Sequence, residues 1–283
     1  MPSTIWLTGA GGLIGNYLLQ SAPVFAPNFH VIGLTRQQLD LTDAPAVRRA
    51  FQSQKPQLII HCAALSKSPV CQANPTLARK LNVEVTSLLA ELATDIPFYF
   101  FSTDLVFDGR KGNYIETDSV NPLSIYAETK VAAEQIVLAN PRHTVIRTSL
   151  NAGVSPTGDR AFNEEMRRQW QEGRTLNLFT DEFRSPIPAA VTARAIWGLV
   201  ARQATGIYHV AGSECLSRWQ IGQLLAARHP ALQPRVTPGS LKDYQGAPRT
   251  PDSSVNCAKA QKLLNFPLPA FTQWLTEHAD EAF

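Results

Sequence analysis

Short, continuous runs of apolar residues alternate with longer helical patterns along the first half of the chain. A run that is apolar at nearly every position and is bounded by turn residues predicts a strand with both faces buried. Repeated strand–helix units of this kind are typical of a parallel sheet that helices cover on both faces. The predicted strands are residues 4–7, 30–34, 58–62, 98–102 and 144–147, and the predicted helices are a segment that begins near Leu13 and residues 46–54, 77–94 and 126–140.

The pattern becomes less regular after about residue 150. Residues 161–173, 187–203 and 217–229 predict helices, residues 206–210 predict one further strand of the sheet, and the proline-rich residues 230–251 predict loops that line a pocket. We therefore expect an α/β fold in which a doubly wound parallel sheet, the Rossmann fold, occupies residues 1–150. Residues 151–283 are expected to form mainly a smaller C-terminal lobe, with about 187–212 returning to the first domain.

Composition excludes some classes of protein. The chain has 283 residues, of which 44% are hydrophobic and 17% are charged, so it can bury a large core. The net charge is only +3 and no run of Lys or Arg is present, which argues against nucleic-acid binding. The four cysteines form no C-x-x-C pair and have no histidines at zinc-ligand spacing, so we expect free thiols and no metal site.

The apolar segments also bear on where the protein works. The N-terminus lacks the pattern of a signal peptide, and no stretch of about 18 consecutive apolar residues is present. We therefore expect a cytoplasmic protein that does not bind a membrane.

A glycine-rich segment follows the first predicted strand and begins the first helix. Gly9, Gly12 and Gly15 give the spacing G-x-x-G-x-x-G. Gly9 permits a sharp turn, Gly12 lets a pyrophosphate approach the backbone, and Gly15 lets the helix pack closely on the strand. Free N–H groups at the helix N-terminus suit phosphate groups. The segment therefore predicts a dinucleotide site, and the residues expected to contact the cofactor are Gly9, Gly11, Gly12, Leu13 and Ile14.

The end of the second strand indicates which dinucleotide is bound. An NAD site usually has Asp or Glu here to hold the ribose hydroxyls, whereas this chain has Arg36, whose guanidinium can pair with a 2′-phosphate. NADP(H) is therefore favoured over NAD(H), although Arg36 also fits an exposed arginine without a ligand. Asp40 and Asp43 can hydrogen-bond the adenine or cap the following helix, and for Asp43, just before Ala44 and Pro45, the cap is favoured. The further residues expected at the cofactor are Asp40, Leu41, Cys62, Ala63 and Ala64.

Tyr126 and Lys130 stand four residues apart and share one face of a predicted helix. This helix follows the strand that ends at Ser102 and Thr103, at the edge of the sheet where ligands bind. A nearby cation favours the phenolate and brings the pKa of a tyrosine, ordinarily about 10, closer to neutral. Tyr126 can then protonate a carbonyl oxygen whose carbon receives a hydride, while Thr103 hydrogen-bonds that oxygen.

We therefore predict that Thr103, Tyr126 and Lys130 are catalytic. Lys130 can also hold the nicotinamide ribose, and Ser102, Tyr126 and Lys130 are expected to contact the cofactor. The alternative is an ordinary pair on a helix surface, since this spacing also arises by chance.

These motifs together resemble the extended short-chain dehydrogenase/reductase family. The resemblance covers nearly the whole chain and is sharpest at residues 102–109, which are similar to the signature of the dTDP-4-dehydrorhamnose reductases. It implies that NAD(P)H reduces a 4-keto group on a nucleotide-linked 6-deoxyhexose. The other segments that resemble this group are residues 122–130, 145–149, 206–212 and 247–254.

The resemblance also implies which residues meet the substrate. Asp104 would lie near the sugar, and Arg249 would approach the nucleotide diphosphate. Leu105 and Leu150 stand where these reductases usually have tyrosine and tryptophan, so the expected sugar pocket is more apolar and its natural sugar can differ. The residues expected to bind the substrate are Asp104, Leu105, Leu150, Arg184 and Arg249.

Other functions fit the same motifs. One alternative is a nucleotide-sugar epimerase or dehydratase, or a reductase of small carbonyl compounds. Asp104 has no glutamate beside it, which disfavours a dehydratase, and Arg36 favours an exchangeable NADP(H). Another alternative is a non-catalytic NADP-binding subunit, because the regulatory β subunit of methionine adenosyltransferase resembles the same group. The complete Thr–Tyr–Lys set favours catalysis, and a homodimer stays open.

Overall fold

The strands of the protein were assigned in a computed structural model, which describes residues 3–281. They are β1 (Ser3–Thr8), β2 (Phe29–Leu34), β3 (Leu58–His61), β4 (Phe98–Thr103), β5 (Thr144–Thr148), β6 (Asn151–Ala152), β7 (Thr175–Phe179), β8 (Phe183–Arg184), β9 (Ile187–Pro188), β10 (Gly206–Val210), β11 (Leu216–Ser217) and β12 (Arg235–Gly239). Within the described residues, a six-stranded sheet has the order β10–β5–β4–β3–β1–β2, and every neighbouring pair in it is parallel.

Helices connect these strands. They are α1 (Leu13–Phe25), α2 (Ala44–Gln54), α3 (Ser68–Ala73), α4 (Pro75–Arg79), α5 (Val85–Leu92), α6 (Ile125–Leu138), α7 (Phe162–Gln171), α8 (Ala189–Ala201), α9 (Arg218–Arg228), α10 (Ala258–Gln261) and α11 (Phe271–Glu277). A wider π-helical turn, Lys80–Glu84, joins α4 to α5. Among residues 3–281, the helices are too short or too polar to span a bilayer.

The order of the central strands places a crevice at the glycine loop. From β1 the chain crosses to β2 on one side, and it then returns to β3 on the other side of β1. Ligands of open parallel sheets bind at such a switch point, beyond the carboxyl ends of the strands. The loops that follow β1 and β3 therefore border the expected ligand crevice.

The sheet predicted from the apolar runs is confirmed. Each of its six strands lies within one residue of the predicted bounds at either end. The helix predicted at residues 187–203 begins later, at Ala189, because Ile187 and Pro188 pair with β6. The prediction of loops throughout residues 230–251 is wrong at β12, which runs parallel to β7. Pro238 in β12 suits such a short, outlying strand, where one backbone donor is not needed.

Both faces of the sheet are covered, as continuous apolar strands require. On one face, Ile5, Leu7 and Ile60 are buried with side chains of α1 and α8. On the other face, Trp6 and Phe100 are buried with side chains of α2, α5 and α6. Burial at consecutive positions of β1 and β4 follows directly from this two-sided cover.

A second hydrophobic cluster lies outside the sheet and defines what we call the second lobe. It combines apolar side chains of α7, α9 and α11 with those of β7 and β12. Trp170, Leu225 and Phe271 are buried at its centre. The second lobe reaches the carboxyl edge of the sheet through β8, which carries Arg184.

Two glycines of the loop after β1 are required by geometry. Gly9 has φ +73°, and a Cβ on it would lie 2.6 Å from the backbone nitrogen of Ala63. A Cβ on Gly15 would overlap the carbonyl oxygen of Gly9, because the first turn of α1 lies directly against the loop. The tight packing expected at Gly15 is therefore present.

Gly15→Ala is expected to lower the free energy of unfolding by about 1–3 kcal/mol, because backbone atoms must move to admit the methyl group. Gly11→Ala is the matched control, since a Cβ there meets only the Thr35 methyl group at 3.7 Å. Urea denaturation of both variants checks this. Equal stability of the two variants would contradict the assigned packing.

Candidate active site

A cavity of about 570 Å³ lies along the carboxyl edge of the sheet, between the sheet and the second lobe. Loops after β1, β3, β4 and β5 form one wall, and residues of α7, β8 and the segment after β12 form the other. Most of the residues predicted from the sequence line it: Gly9, Gly12, Leu13, Ile14, Cys62, Ala64, Ser102, Thr103, Leu105, Tyr126, Lys130, Leu150, Arg184 and Arg249. Predicted site residues outside the lining are Gly11, Arg36, Asp40, Leu41, Ala63 and Asp104.

The glycine loop offers donors to an anion. Gly12 is the N-cap of α1, and no side chain caps the helix there. The first turn also contains no acidic residue, so the partial positive charge of the helix end faces the cavity without a competing carboxylate. Ser102 adds a further group, because its buried Oγ has no partner among the described residues and the residue lines the cavity. These groups fit the phosphates and ribose of a dinucleotide.

The segment after β2 lies at the surface next to this loop. The side chain of Arg36 is 84% exposed, and its Nε lies 3.8 Å from Asp40 Oδ2. Asp40 accepts hydrogen bonds from the backbone and hydroxyl of Thr42, and the backbone bond is the main reason that the pKa of Asp40 is lowered. The helix cap is supplied by Asp43, which accepts from Ala46 N at 3.0 Å. Leu41 packs against the hydrophobic cluster between the sheet and helices α2, α5 and α6.

Helix α6 carries the predicted catalytic pair into the cavity. Its N-cap Ser124 accepts a hydrogen bond from Ala127 N at 3.3 Å, which sets the start of the helix just before Tyr126. Tyr126 and Lys130 are both buried, and Lys130 is only 2% exposed. The Lys130 ammonium lies 4.0 Å from the centre of the Phe100 ring. Tyr126 and Lys130 therefore share one wall of the cavity, as their spacing predicted.

Thr103 meets this pair from the end of β4. Its hydroxyl oxygen accepts from Leu105 N at 3.2 Å and donates to Asp104 Oδ1 at 3.1 Å. Thr103 also partly lowers the pKa of Tyr126, against the stronger effect of burial. The sheet edge and α6 thus bring a hydroxyl, a phenol and an ammonium to the same cavity.

Burial changes the acid–base properties that the sequence suggested. Desolvation, followed by the Asp104 charge, raises the pKa of Tyr126 well above its usual value. Desolvation also lowers the pKa of Lys130 to about 7, against the attraction of Glu134 and Cys62. The sequence argument, in which a cation lowers the pKa of the tyrosine, omitted this desolvation, which disfavours both charged forms.

A buried ion pair lies one helical turn beyond Lys130. Glu134 accepts from Arg147 Nε at 3.0 Å and from Arg147 Nη2 at 2.7 Å. Both side chains are 4% exposed, and Arg147 comes from β5. The Glu134 carboxylate favours the charged form of Lys130, and the Glu134–Arg147 pair links α6 to β5.

Asp104 is placed differently from the sequence expectation. Its carboxylate is fully buried and does not line the cavity. It accepts from Arg184 Nε at 2.6 Å and from Arg184 Nη2 at 2.5 Å, with further bonds from Ser149 Oγ at 2.6 Å and Ser253 Oγ at 3.1 Å. Both of its oxygens are engaged by protein donors, so Asp104 holds Arg184 at the cavity and does not itself face the cavity.

Arg249 also has a protein partner. Its Nε and Nη2 donate to the two oxygens of buried Glu182 at 2.6 and 2.9 Å. Its guanidinium lies over the rings of Phe179 and Tyr244, at 5.1 and 5.5 Å. Glu182 and Tyr244 line the cavity but carried no signal in the sequence, because each reaches the site from a segment without a recognisable motif. Further lining residues that the sequence argument did not single out include Ser66, Lys67, Asn151, Arg160 and Phe162.

Known proteins share this architecture over the whole chain. A dTDP-4-dehydrorhamnose reductase from Aggregatibacter actinomycetemcomitans is 30% identical over 223 residues, which cover 75% of this chain and 74% of that protein. The methionine adenosyltransferase 2 subunit beta of Xenopus laevis is 28% identical over 274 residues, or 91% and 81% of the two chains. The crystal structure of a dTDP-4-dehydrorhamnose reductase from Clostridium acetobutylicum superposes with a TM-score of 0.88 at 26% identity and covers 98% of each chain.

The parallel sheet, its glycine loop and these relatives define an oxidoreductase of the short-chain dehydrogenase/reductase type. The chain belongs to the family described as the RmlD substrate binding domain, whose model matches residues 3–283. The resemblance to the dTDP-4-dehydrorhamnose reductases that residues 102–109 suggested is thereby confirmed.

Lys130→Met tests the burial of the ammonium. The pKa of about 7 in the folded protein lies below the usual 10.5, so between these values the unfolded chain binds a proton that the folded chain does not. The free energy of unfolding of the wild type should therefore rise with pH, by up to about 1.4 kcal/mol per unit above pH 7. The variant lacks this rise, so its stability relative to the wild type is greatest at or below pH 7 and declines towards pH 10.

Urea denaturation of nucleotide-free protein at several pH values between 6 and 10 measures this difference. Lys262→Met, at an exposed position, is the control, and its free energy of unfolding should change with pH as that of the wild type does. Parallel curves for Lys130→Met and the wild type would show that the ammonium is not desolvated.

Proposed function

We propose that the protein is an NADPH-dependent reductase of a keto group on a nucleotide-linked deoxysugar. The observation that carries the proposal is the meeting of Thr103, Tyr126 and Lys130 at a cavity that the glycine loop also lines. Residues 1–150 would bind the cofactor, and residues 151–283 would contribute mainly to the sugar nucleotide, with about 187–212 belonging to the sheet domain.

The proposed mechanism assigns each group one task. When bound, the nicotinamide supplies a hydride to the carbonyl carbon of the sugar. Tyr126 donates its phenolic proton to the carbonyl oxygen, and the high pKa that burial imposes keeps this proton in place until the oxygen becomes basic. Thr103 orients the same oxygen by a hydrogen bond. The Lys130 ammonium stabilises the phenolate that remains and holds the cofactor ribose.

The cavity suits a sugar joined to an anionic group. Leu105 and Leu150 give an apolar wall beside the proposed catalytic groups, which fits a deoxysugar, since such a sugar has fewer hydroxyl groups. Arg184 and Arg249 line the cavity on the side of the second lobe, where their guanidinium groups would donate to a diphosphate. The relatives named as dTDP-4-dehydrorhamnose reductases support this class of substrate. The particular sugar can differ, because the apolar wall departs from the usual residues.

A preference for NADPH over NADH rests on Arg36. Its exposed guanidinium lies beside the glycine loop and is held only by a long ion pair with Asp40. A 2′-phosphate offers a stronger, bidentate partner. Gly11, Asp40, Leu41 and Ala63, which do not line the cavity, would then contact only the adenosine end of the cofactor or support the loop.

A regulatory role is the second candidate function. The observation that favours it is the similarity to the methionine adenosyltransferase 2 subunit beta. Such a protein would bind the dinucleotide and a partner chain without turning over a sugar. A cytoplasmic location and a homodimer are compatible with either function and stay predictions.

Turnover that depends on Tyr126 separates the two functions. We expect purified protein to oxidise NADPH in the presence of one or more dTDP-linked 4-keto sugars, as followed by absorbance. Tyr126→Phe should lower kcat by about 10²–10⁴-fold, because the proton donor is lost, while NADPH still binds. Tyr208→Phe, in β10 and outside the cavity, is the matched control. NADPH binding without turnover of any sugar would favour the regulatory role.

Arg36→Ala tests the cofactor preference. Loss of a charged bond to the 2′-phosphate should weaken NADPH binding by about 10- to 100-fold and leave NADH binding unchanged. Nucleotide fluorescence titrations measure both affinities, and Arg49→Ala on the exposed face of α2 is the control. An equal loss for both cofactors would argue against a 2′-phosphate site at Arg36.

A further inference from the structure

The arginine proposed to meet the diphosphate is already held by a buried carboxylate. Glu182 is 3% exposed and binds Arg249 through both of its oxygens. The Nε/Nη2 edge of Arg249, one of the two edges by which a guanidinium can bind a phosphate through two bonds, is therefore occupied. A ligand that takes this edge leaves Glu182 without its partner.

Leaving Glu182 unpaired would oppose binding. Removing the partner of a buried carboxylate is strongly destabilising, because the remaining charge has lost its hydration and its counter-charge. One charged hydrogen bond to a phosphate contributes less than this loss. Arg249 can therefore offer its Nε/Nη2 edge to an anion only if another cation takes over Glu182.

Arg218, the first residue of α9, is in position to do so. Its backbone N–H donates to the carbonyl oxygen of Glu182 at 2.9 Å, so the two residues are adjacent across the β8–β11 contact. Its guanidinium carbon lies 5.4 Å from the centre of the Phe162 ring, and Phe162 lines the cavity. Its Nη1 is buried and has no partner among residues 3–281.

The balance of charges around Glu182 also favours the binding of an anion. Arg184 pairs with Asp104 and Arg249 with Glu182, whereas Arg218, whose Nη1 is buried, forms no ion pair among residues 3–281. Burial lowers the pKa of Arg218 to about 10, with Glu182 opposing the shift and the other two arginines adding to it. The guanidinium thus keeps its charge at neutral pH. Asp104, Glu182, Arg184, Arg218 and Arg249 together carry one net positive charge until a ligand supplies a negative one.

We propose that Arg218 is a positioning residue that takes over Glu182 when a nucleoside diphosphate takes Arg249. The exchange keeps the Glu182 carboxylate paired in both states, and in the bound state it also gives Arg218 a partner. The inference rests on the proposed function, since it presumes a diphosphate in this cavity. Arg218 itself need not touch the ligand.

The test uses dTDP as the probe and calorimetric titration of the full chain at one fixed salt concentration. Arg218→Met keeps the bulk of the side chain and removes the charge. It should weaken dTDP binding by at least about tenfold and leave NADPH binding unchanged, which also reports that the variant is folded. Arg48→Met, which breaks the exposed two-pronged pair with Glu91, is the matched control and should bind dTDP like the wild type.

A double-variant cycle distinguishes the exchange from direct contact. In a Glu182→Gln background no charge needs a new partner, so adding Arg218→Met should change dTDP affinity by less than about twofold. An undiminished loss in that background would overturn the exchange and make Arg218 a direct ligand. If the wild type binds dTDP and Arg218→Met binds it equally well, the inference fails while the proposed function stands. If the wild type binds NADPH but not dTDP, the nucleotide-sugar function fails and this inference fails with it.

Discussion

The buried carboxylate of Asp104 joins the two parts of the molecule. It stands directly after β4, and it receives hydrogen bonds from segments that follow β5, lie in β8 and precede α10. A fully buried charge is tolerated only when protein donors replace its hydration, and here two arginine nitrogens and three hydroxyls do so. Arg184 is therefore fixed at the cavity by the same bonds that hold the second lobe against the sheet.

Burial also sets the acid–base properties of Tyr126 and Lys130 on α6. Tyr126 and Lys130 sit in a wall of the cavity where water is largely excluded, so the neutral form of each is favoured. The Glu134 carboxylate, which is paired with Arg147, and the Phe100 ring partly offset the desolvation of the Lys130 ammonium. A phenol that holds its proton beside a lysine that readily changes its charge is suited to passing a proton to a substrate oxygen and recovering it afterwards.

The candidate site was recoverable from the sequence wherever a local pattern encodes the geometry. Gly9, Gly12 and the Tyr126–Lys130 spacing depend on turns and helix periodicity, which act within a few residues. Asp104 and Arg249 were predicted as substrate-binding residues, but their ion pairs were not predicted. Their partners lie in the short segment 182–184, 80 and 67 positions away along the chain, and no local sequence pattern indicates them.

The sequence by itself determined the central sheet, its parallel order of strand–helix units and the place of the glycine loop. The reason is that strands buried on both faces must be apolar at successive positions, and such runs can be identified directly in the sequence. The tertiary structure alone decided which charges meet, how deeply Lys130 is buried, and that Glu182 lies between Arg249 and Arg218. Those properties depend on desolvation and on contacts between segments that are distant in the sequence, which no local pattern encodes.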